Sequence, residues 1–329
     1  MIGDGMRVFI TGATGFVGGA LARALAREGA DVHGLARPTA LRSSLNDVAI
    51  TWHEGDIVIP ETLDGFGGAD WIIHAAGRLG EAGVPEEAYR QVHVEGTRNV
   101  LTAALGMRKR PRVLHVSSPG VLGPIKGGPA TEAQPPAPSN AYGRTKAAGE
   151  RVVGDFSARG LPVIIVRPEF VYGPGDRHVL GLFRAIQSGQ FFYLDGGRHV
   201  CHPTYIDDVV SGILACMSRG KAGETYHITG PQPVTFRELG EAIANALGVH
   251  PPWLSLPVWL ARVGATGLES VGRLIGWKPP LSRTGVAFFS EDHRLSWQKA
   301  RNELGYSPYY DLTAGVSNTV EWYRKQGWL

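Results

Sequence analysis

A tyrosine and a lysine stand four positions apart in Tyr142-Gly143-Arg144-Thr145-Lys146. On a helix this spacing places the phenol and the ammonium on one face. A phenol with a pKa of about 10 is a weak base at neutral pH, and a nearby cation lowers that pKa toward the working range. Ser118 follows an apolar run and could orient a substrate hydroxyl or carbonyl. These three residues predict a catalytic site for proton transfer at an alcohol or a ketone.

A glycine-rich turn lies near the start of the chain, directly after the apolar run at 7–11. Gly12 would allow a tight turn, Gly15 would let a pyrophosphate approach the backbone, and Gly18 would let the next helix pack closely on the strand. The N–H groups at the start of that helix would face the anion. The pattern predicts a dinucleotide-binding turn formed by Gly12, Thr14, Gly15, Phe16, Val17 and Gly18.

The end of the second predicted strand indicates which dinucleotide binds. An acidic residue about 20 positions after the glycines would bind the ribose 2′-hydroxyl, but the strand ends Leu35-Ala36-Arg37-Pro38. Arg37 could pair with a 2′-phosphate instead. We therefore expect NADP(H) to be slightly preferred over NAD(H). Asp56, after the third strand, is a candidate adenine contact, and Lys146 could also bind the nicotinamide ribose.

The elements that must position these residues alternate through the first half of the chain. Apolar runs predict strands at 7–11, 31–35, 49–52, 71–75, 112–117 and 163–167, and helical patterns cover 16–28, 85–105 and 142–159. Such strands, separated by helices, are typical of a parallel, doubly wound sheet that is buried on both faces. After residue 170 the pattern loosens into predicted helices at 178–188, 207–218, 236–247 and 313–326, with a strand at 224–229.

Composition excludes several classes of protein. The 329 residues carry 33 Lys+Arg against 30 Asp+Glu, a net charge of +3 that is too weak to indicate a nucleic-acid partner. Two cysteines cannot build a disulfide framework, and their surroundings lack metal-ligand spacing, so we expect no metal. No apolar run approaches the roughly 20 residues of a membrane span. Because the start also lacks a signal segment, we expect a cytoplasmic enzyme with a small-molecule substrate.

Together the motifs resemble the extended short-chain dehydrogenase/reductase superfamily, of the NAD-dependent epimerase/dehydratase type. The resemblance covers nearly the whole chain and runs through the glycine turn, His74-Ala75-Ala76, Ser117-Ser118, Tyr142 with Lys146, Arg167-Pro168, 171–176, 205–209 and 299–306. It implies a Rossmann-type α/β domain at 1–170, interlaced with a smaller α/β substrate region at 171–329. It also implies catalytic positions for Ser118, Tyr142 and Lys146, and a homodimer formed through 85–105 and 142–159. The cofactor contacts that it implies include Ile57, Ala75, Ala76, Gly77, Tyr142, Lys146 and Pro168.

Two departures from the family pattern bear on function. His93 stands where the family often has Asn, which makes it either a satisfied core histidine or a group that adds a pH dependence. Nucleotide-sugar enzymes of the family usually carry an Arg where this chain has Cys201, and Arg198 lies three residues too early. Losing that guanidinium counts against a sugar diphosphate, although Arg198 or Arg177 could compensate.

The apolar segment 251–277, with three tryptophans, resembles the 3β-hydroxysteroid dehydrogenase-like branch. It could roof an apolar pocket, touch a lipid surface or simply pack against the other domain. The leading hypothesis is an NAD(P)-dependent oxidoreductase that moves hydride to or from a secondary alcohol or ketone of an apolar, steroid- or lipid-like substrate. The alternative is a nucleotide-sugar 4-epimerase or dehydratase with tightly held NAD. The intact Ser118, Tyr142 and Lys146 argue against a third class, a catalytically silent dinucleotide sensor.

Overall fold

The computed structural model describes residues 5–81, 83–275 and 282–329, with side chains described outside 270–275. The strands are β1 (Arg7–Thr11), β2 (Asp31–Ala36), β3 (Thr51–Glu54), β4 (Trp71–His74), β5 (Arg112–Val116), β6 (Val163–Pro168), β7 (Val171–Tyr172), β8 (Tyr193–Leu194), β9 (Val200–Cys201), β10 (Thr204–Tyr205), β11 (Thr225–Ile228), β12 (Val234–Thr235) and β13 (Ser255–Leu256). The helices are α1 (Phe16–Arg27), α2 (Glu86–Arg90), α3 (Thr97–Gly106), α4 (Ala141–Ala158), α5 (Leu180–Gln187), α6 (Ile206–Arg219), α7 (Phe236–Leu247), α8 (Val258–Ile275), α9 (Arg283–Phe289), α10 (Gln298–Leu304) and α11 (Leu312–Lys325).

Seven parallel strands form the central sheet, in the order β3-β2-β1-β4-β5-β6-β11. The inner strands are apolar along their length because helices cover both faces, with α1, α6 and α10 on one side and α3 and α4 on the other. The direction of strand order reverses between β1 and β4, and open α/β sheets bind ligands beyond the carboxyl ends of the strands at such a point. The predicted Rossmann-type α/β fold is confirmed.

The second half of the chain makes small ladders and returns one strand to the central sheet. β7 pairs with β10 and β8 with β13 in parallel, whereas β9 pairs with β12 in antiparallel. Helices α5, α7 and α11 pack around a separate apolar core. Because β11 lies beside β6, the two halves of the chain share one sheet. The domain boundary at residue 170 stays a prediction.

Two predicted elements differ from the structure. The single helix predicted at 85–105 consists of α2, a π-helical turn at Gln91–Gly96, and α3. The strand predicted at 49–52 lies two residues later, as β3, because pairing of Leu35 with His53 and Ala36 with Glu54 sets the register of this edge strand. Within the described ranges, none of the helices has the length and apolar character needed to span a bilayer.

Candidate active site

The glycine turn between β1 and α1 lies at the strand-order reversal, as predicted. Gly12 has φ +76°, and a Cβ there would lie 2.6 Å from the backbone nitrogen of Ala76. A Cβ on Gly18 would overlap the Gly12 carbonyl oxygen, so this position also needs glycine. The exposed Gly15 precedes α1, whose first N–H groups are unpaired within the helix and suit a pyrophosphate. Thr14, Phe16 and Val17 complete the turn. The turn therefore fits the dinucleotide that the sequence predicts.

The other predicted cofactor residues border the same edge of the sheet. Ala75, Ala76 and Gly77 follow β4; the Ala75 N–H donates to the Thr11 carbonyl oxygen over 3.1 Å. Pro168 ends β6. Asp56 and Ile57 follow β3, where the Asp56 carboxylate accepts a hydrogen bond from the Val58 N–H over 3.1 Å and Ile57 is buried.

Arg37 is exposed just beyond β2, and its guanidinium makes no hydrogen bond or ion pair with the residues that the structure describes. The nearby Arg42 differs, because its Nη2 lies 3.2 Å from Glu54 Oε1 and its guanidinium lies over the Trp52 ring. Arg37 is thus available to a ligand, whereas Arg42 is already engaged.

Helix α4 brings Tyr142 and Lys146 to the end of β5, beside Ser118. The Asn140 side chain caps α4 by accepting a hydrogen bond from the Gly143 N–H over 2.8 Å, which starts the helix one residue before Tyr142. The Tyr142 ring and the Ser118 hydroxyl both lie against Gly120, whose N–H donates to Ser118 Oγ over 3.1 Å. Lys146 Nζ donates to the Val116 carbonyl oxygen over 3.0 Å. All three predicted catalytic residues therefore meet at the carboxyl edge of the sheet.

The electrostatics of this trio differ from the expectation that a cation would lower the phenol pKa. Burial raises the pKa of Tyr142, and the hydrogen bond with Ser118 only partly offsets that effect. Burial also lowers the pKa of Lys146 to about 8, while Glu150 acts in the opposite direction. The Lys146 ammonium donates to a backbone carbonyl. Desolvation is the largest influence on the pKa of Tyr142 and on the pKa of Lys146. Tyr142 is consequently protonated at neutral pH and able to donate a proton.

His93 is a neutral, buried neighbour of Tyr142. Its Nδ1 lies 3.0 Å from Thr145 Oγ1, and its Nε2 lies 3.1 Å from the Arg78 backbone nitrogen. Burial, assisted by the charge of Lys146, lowers the pKa of His93 to about 3. The imidazole therefore stays uncharged at physiological pH, which fits the satisfied core histidine rather than the pH-dependent group. Its ring packs edge-on against Tyr142, with centroids 5.5 Å apart.

Comparison with known proteins assigns the family. The model of the NAD dependent epimerase/dehydratase family matches residues 8–229. This chain belongs to that family. The enzyme is therefore an NAD-dependent member of the extended short-chain dehydrogenase/reductase type.

Its relatives act on different substrates. It is 31% identical over 309 residues, 92% of each chain, to 4-hydroxy-2-methyl-3-oxo-4-farnesyl-3,4-dihydroquinoline-1-oxide ketoreductase of Stigmatella aurantiaca. It is 29% identical over 282 residues to 3beta-hydroxysteroid-dehydrogenase/decarboxylase isoform 1 of Arabidopsis thaliana, covering 79% of this chain and 64% of that one. The solved structure of the dTDP-glucose 4,6-dehydratase DesIV of Streptomyces venezuelae, which contains NAD, matches with TM-score 0.79 and 27% identity over 98% of both chains.

The structure adds Glu169, which the sequence analysis missed. This carboxylic acid comes directly after β6, at the same edge of the sheet as Ser118, and is only 3% exposed. Burial raises the pKa of Glu169 to about 8. Its charge is one of the influences that raise the pKa of Tyr142 and the pKa of Cys201. In the sequence, the signal that could have identified Glu169 is an acidic residue immediately after an apolar run that predicts a buried strand.

A buried ion pair between Arg167 and Glu150 links α4 to the central sheet next to Lys146. Arg167 on β6 donates two hydrogen bonds to the Glu150 carboxylate of α4, from Nε over 2.8 Å and from Nη2 over 2.6 Å. The Ser117 hydroxyl donates to the same carboxylate over 2.5 Å. Because Glu150 lies four residues after Lys146, this pair ties the catalytic helix to β5 and β6.

Cys201, Phe170 and Phe288 belong to the apolar core that α5, α7 and α11 surround. Cys201 is fully buried and its thiol pKa is raised by that burial. Phe170 and Phe288 contact each other with ring centroids 5.4 Å apart. The two arginines considered as substitute clamps each make one local contact: Arg198 Nε donates to the Asp195 carbonyl oxygen over 2.8 Å, and Arg177 lies over the Trp328 ring.

Where side chains of the apolar segment 251–277 are described, buried and exposed positions alternate along α8. Ala261 and Ala265 of α8 are buried in a small cluster with residues of β8 and α9. Trp253 and Trp259 are exposed, by 86% and 67%. Trp277 lies outside the described residues. In the described ranges, no group of three His, Cys, Asp or Glu side chains is placed to hold a metal ion.

Proposed function

We propose that the enzyme is an NAD(P)-dependent reductase of ketones on apolar, steroid- or lipid-like molecules, and that it oxidises the corresponding secondary alcohols in reverse. The observation that carries this proposal is Cys201, a fully buried thiol at the position where nucleotide-sugar enzymes of the family usually carry an arginine for the diphosphate. The farnesylated and steroid compounds in the names of two relatives support an apolar substrate.

The residues divide the reaction as follows. A nicotinamide dinucleotide bound at the glycine turn supplies or accepts the hydride. Tyr142 donates its phenolic proton to the carbonyl oxygen of the ketone, which becomes the alcohol oxygen. Ser118 holds that oxygen by a hydrogen bond. Lys146 stabilises the phenolate that remains after proton transfer and binds the nicotinamide ribose. The high pKa of Tyr142 favours this direction, because the phenol begins protonated.

The cofactor preference, the assembly and the cellular location complete the proposal. The unpaired guanidinium of Arg37 supports NADP(H) over NAD(H), since it can pair with a 2′-phosphate. A homodimer formed through the helices at 85–105 and 142–159, and a cytoplasmic location, stay predictions from the family resemblance and the sequence.

The alternative function is a nucleotide-sugar 4-epimerase or dehydratase that recycles a tightly held NAD. The likeness to the NAD-containing dTDP-glucose 4,6-dehydratase over 98% of the chain favours it. Such an enzyme would use the same Tyr142, Lys146 and Ser118 to oxidise a sugar and reduce it again.

Two measurements on the same purified protein separate the two functions. The first identifies by mass any dinucleotide that denaturation releases from the protein. The second follows NADPH and NADH oxidation with the hydrophobic ketones benzil and deoxybenzoin, and conversion of dTDP-glucose and UDP-glucose. We expect little retained cofactor and reduction of a ketone. Stoichiometric NAD together with turnover of a sugar nucleotide would replace the reductase by the alternative.

A further inference from the structure

Residues 291–296, which we call the strap, run from the end of α9 toward α10 and pass beside β9. Two hydrogen bonds join the strap to β9. The His293 N–H donates to the Val200 carbonyl oxygen over 2.8 Å, and the Val200 N–H donates to Asp292 Oδ1 over 3.0 Å. Asp292 Oδ2 accepts from Arg294 Nη2 over 3.1 Å. The Asp292 side chain therefore ties the strap to β9, in the second half of the chain.

The other edge of the strap is bonded to residues 119–132, the loop that follows Ser118. The Ile125 N–H donates to the Asp292 carbonyl oxygen over 3.0 Å. The Ala130 N–H donates to the carbonyl oxygen two positions farther along the strap, over 2.9 Å. Because the strap is bonded on both edges, it forms a bridge between β9 and the loop after Ser118.

An apolar contact also joins the strap to the segments that carry the catalytic residues. Leu295 is buried in one small core with Val121 and Ala147. Val121 is three residues after Ser118, and its N–H donates to the Ser118 carbonyl oxygen over 3.3 Å. Ala147 follows Lys146 on α4. The strap therefore packs against both the turn at Ser118 and the helix that carries Lys146.

The Ser118 hydroxyl takes its direction from the same loop. The Gly120 N–H donates to Ser118 Oγ over 3.1 Å, so this oxygen accepts a hydrogen bond and the hydroxyl proton remains for a substrate oxygen. The direction of such a donor matters, because a misplacement of about 1 Å can lower a rate about 100-fold. Whatever holds the loop after Ser118 therefore affects the reaction.

We propose that Asp292 is a positioning residue, which holds the strap on β9 and thereby keeps the loop after Ser118 in the orientation that the Ser118 hydroxyl needs. The inference rests on the proposed role of Ser118, which the ketone reductase and the sugar-nucleotide alternative share. Asp292 acts through the strap without touching the substrate. The glycine turn lies on β1–α1, away from the strap, so cofactor binding should not depend on Asp292.

The first test measures how firmly the strap is held. Asp292→Ala removes both side-chain acceptors, and Asp292→Asn keeps an oxygen for the Val200 N–H. Glu291→Ala, which removes the neighbouring carboxylate of the strap, is the matched control. Hydrogen–deuterium exchange of the ligand-free enzyme is followed in peptides that cover 121–131 and 198–203. We expect exchange in both to become about ten-fold faster in Asp292→Ala, and to stay close to the wild type in the other two variants.

The second test is a double-mutant cycle with Ser118→Ala. Reduction of benzil, and of deoxybenzoin, which lacks the second carbonyl oxygen of benzil, gives kcat and KM, and titration gives the dissociation constant for NADPH. We expect Asp292→Ala to lower kcat about ten-fold on both ketones with unchanged NADPH affinity, and Asp292→Asn to retain most of the activity. In the Ser118→Ala background, Asp292→Ala should lower kcat by less than about two-fold, because the group that it positions is absent.

Wild-type exchange and wild-type kcat in Asp292→Ala would overturn the positioning role. An equal loss of kcat with and without Ser118 would overturn it too, since a general loss of structure adds to the effect of another change. If the wild type converts dTDP-glucose and neither ketone, the reductase proposal fails and the cycle is run on dTDP-glucose. A loss of kcat confined to enzyme that retains Ser118 would then still support Asp292, so the two proposals can fail separately.

Discussion

The two ends of the candidate site are built in different ways. The glycine turn, Ser118, Tyr142 and Lys146 lie in short motifs on β1–α1 and β5–α4, where local helix and strand geometry fixes their positions. The end that we propose binds the substrate draws on β9 and α9, where Cys201 and Phe288 belong to one apolar core. On the proposed function, short-range geometry therefore sets the reaction chemistry, and long-range packing sets the choice of substrate.

The largest expected effect is on kcat and comes from a change at the proposed catalytic residue Tyr142. Tyr142→Phe removes the proton donor and keeps the ring that packs against His93, so kcat should fall about 10³-fold on benzil and deoxybenzoin alike. The dissociation constant for NADPH should change little. Steady-state kinetics and fluorescence titration measure the two quantities. Tyr309→Phe, at a phenol that is 85% exposed, is the control and should match the wild type. Unaltered turnover in Tyr142→Phe would show that another group transfers the proton.

The next largest effect is on stability and tests whether the buried pair of Glu150 and Arg167 holds α4 on the sheet. Glu150→Gln leaves the buried Arg167 guanidinium without its counter-charge, which should lower the free energy of unfolding by about 3 kcal/mol. Lys146 should also lose the charge that raises its pKa. Urea denaturation measures the first effect. The control is Glu87→Gln, at the exposed ion pair with Arg90, where little change is expected. Equal stability of the two variants would mean that the buried pair does not hold α4 on the sheet.

The sequence alone predicted the glycine turn and the positions of Tyr142 and Lys146, because the patterns that mark them are local. A glycine triplet after a strand and an i, i+4 pair on a helix imply their own geometry, and the structure places Gly12, Tyr142 and Lys146 accordingly. The predicted direction of the Tyr142 pKa was wrong, because burial is the largest influence on that pKa and the sequence does not show burial. The π-helical turn that carries His93 was also missed, since its apolar pattern resembles an ordinary helix.

The substrate end could not be predicted in the same way. Phe170 and Phe288 touch although they are distant along the chain, and no periodicity links them. Glu169 is notable only because it is buried, which is a property of its surroundings and not of the residue type. Cys201 was the exception, because a departure from the family pattern marked it in the sequence.

A smaller effect concerns the cofactor. Arg37→Ser should weaken NADPH binding about ten-fold and leave NADH binding unchanged, because only NADPH carries the 2′-phosphate. Arg42→Ser is the comparison, since its guanidinium is already paired with Glu54 and a smaller change is expected. Fluorescence titration with both nucleotides gives the four ratios. If Arg37→Ser weakens both nucleotides equally, the preference for NADP(H) has another origin.

The smallest expected effect concerns Phe288, which packs against the apolar core that contains Cys201. Phe288→Leu keeps an apolar side chain but removes the ring that contacts Phe170 and His293. KM should rise by a factor of about 3 for benzil and for deoxybenzoin equally, since lost apolar contact of less than about 1 kcal/mol does not depend on the second oxygen. Steady-state kinetics with both ketones measures it, and NADPH affinity is the internal control. A rise confined to benzil would show that Phe288 acts on recognition of the second oxygen and not through apolar contact.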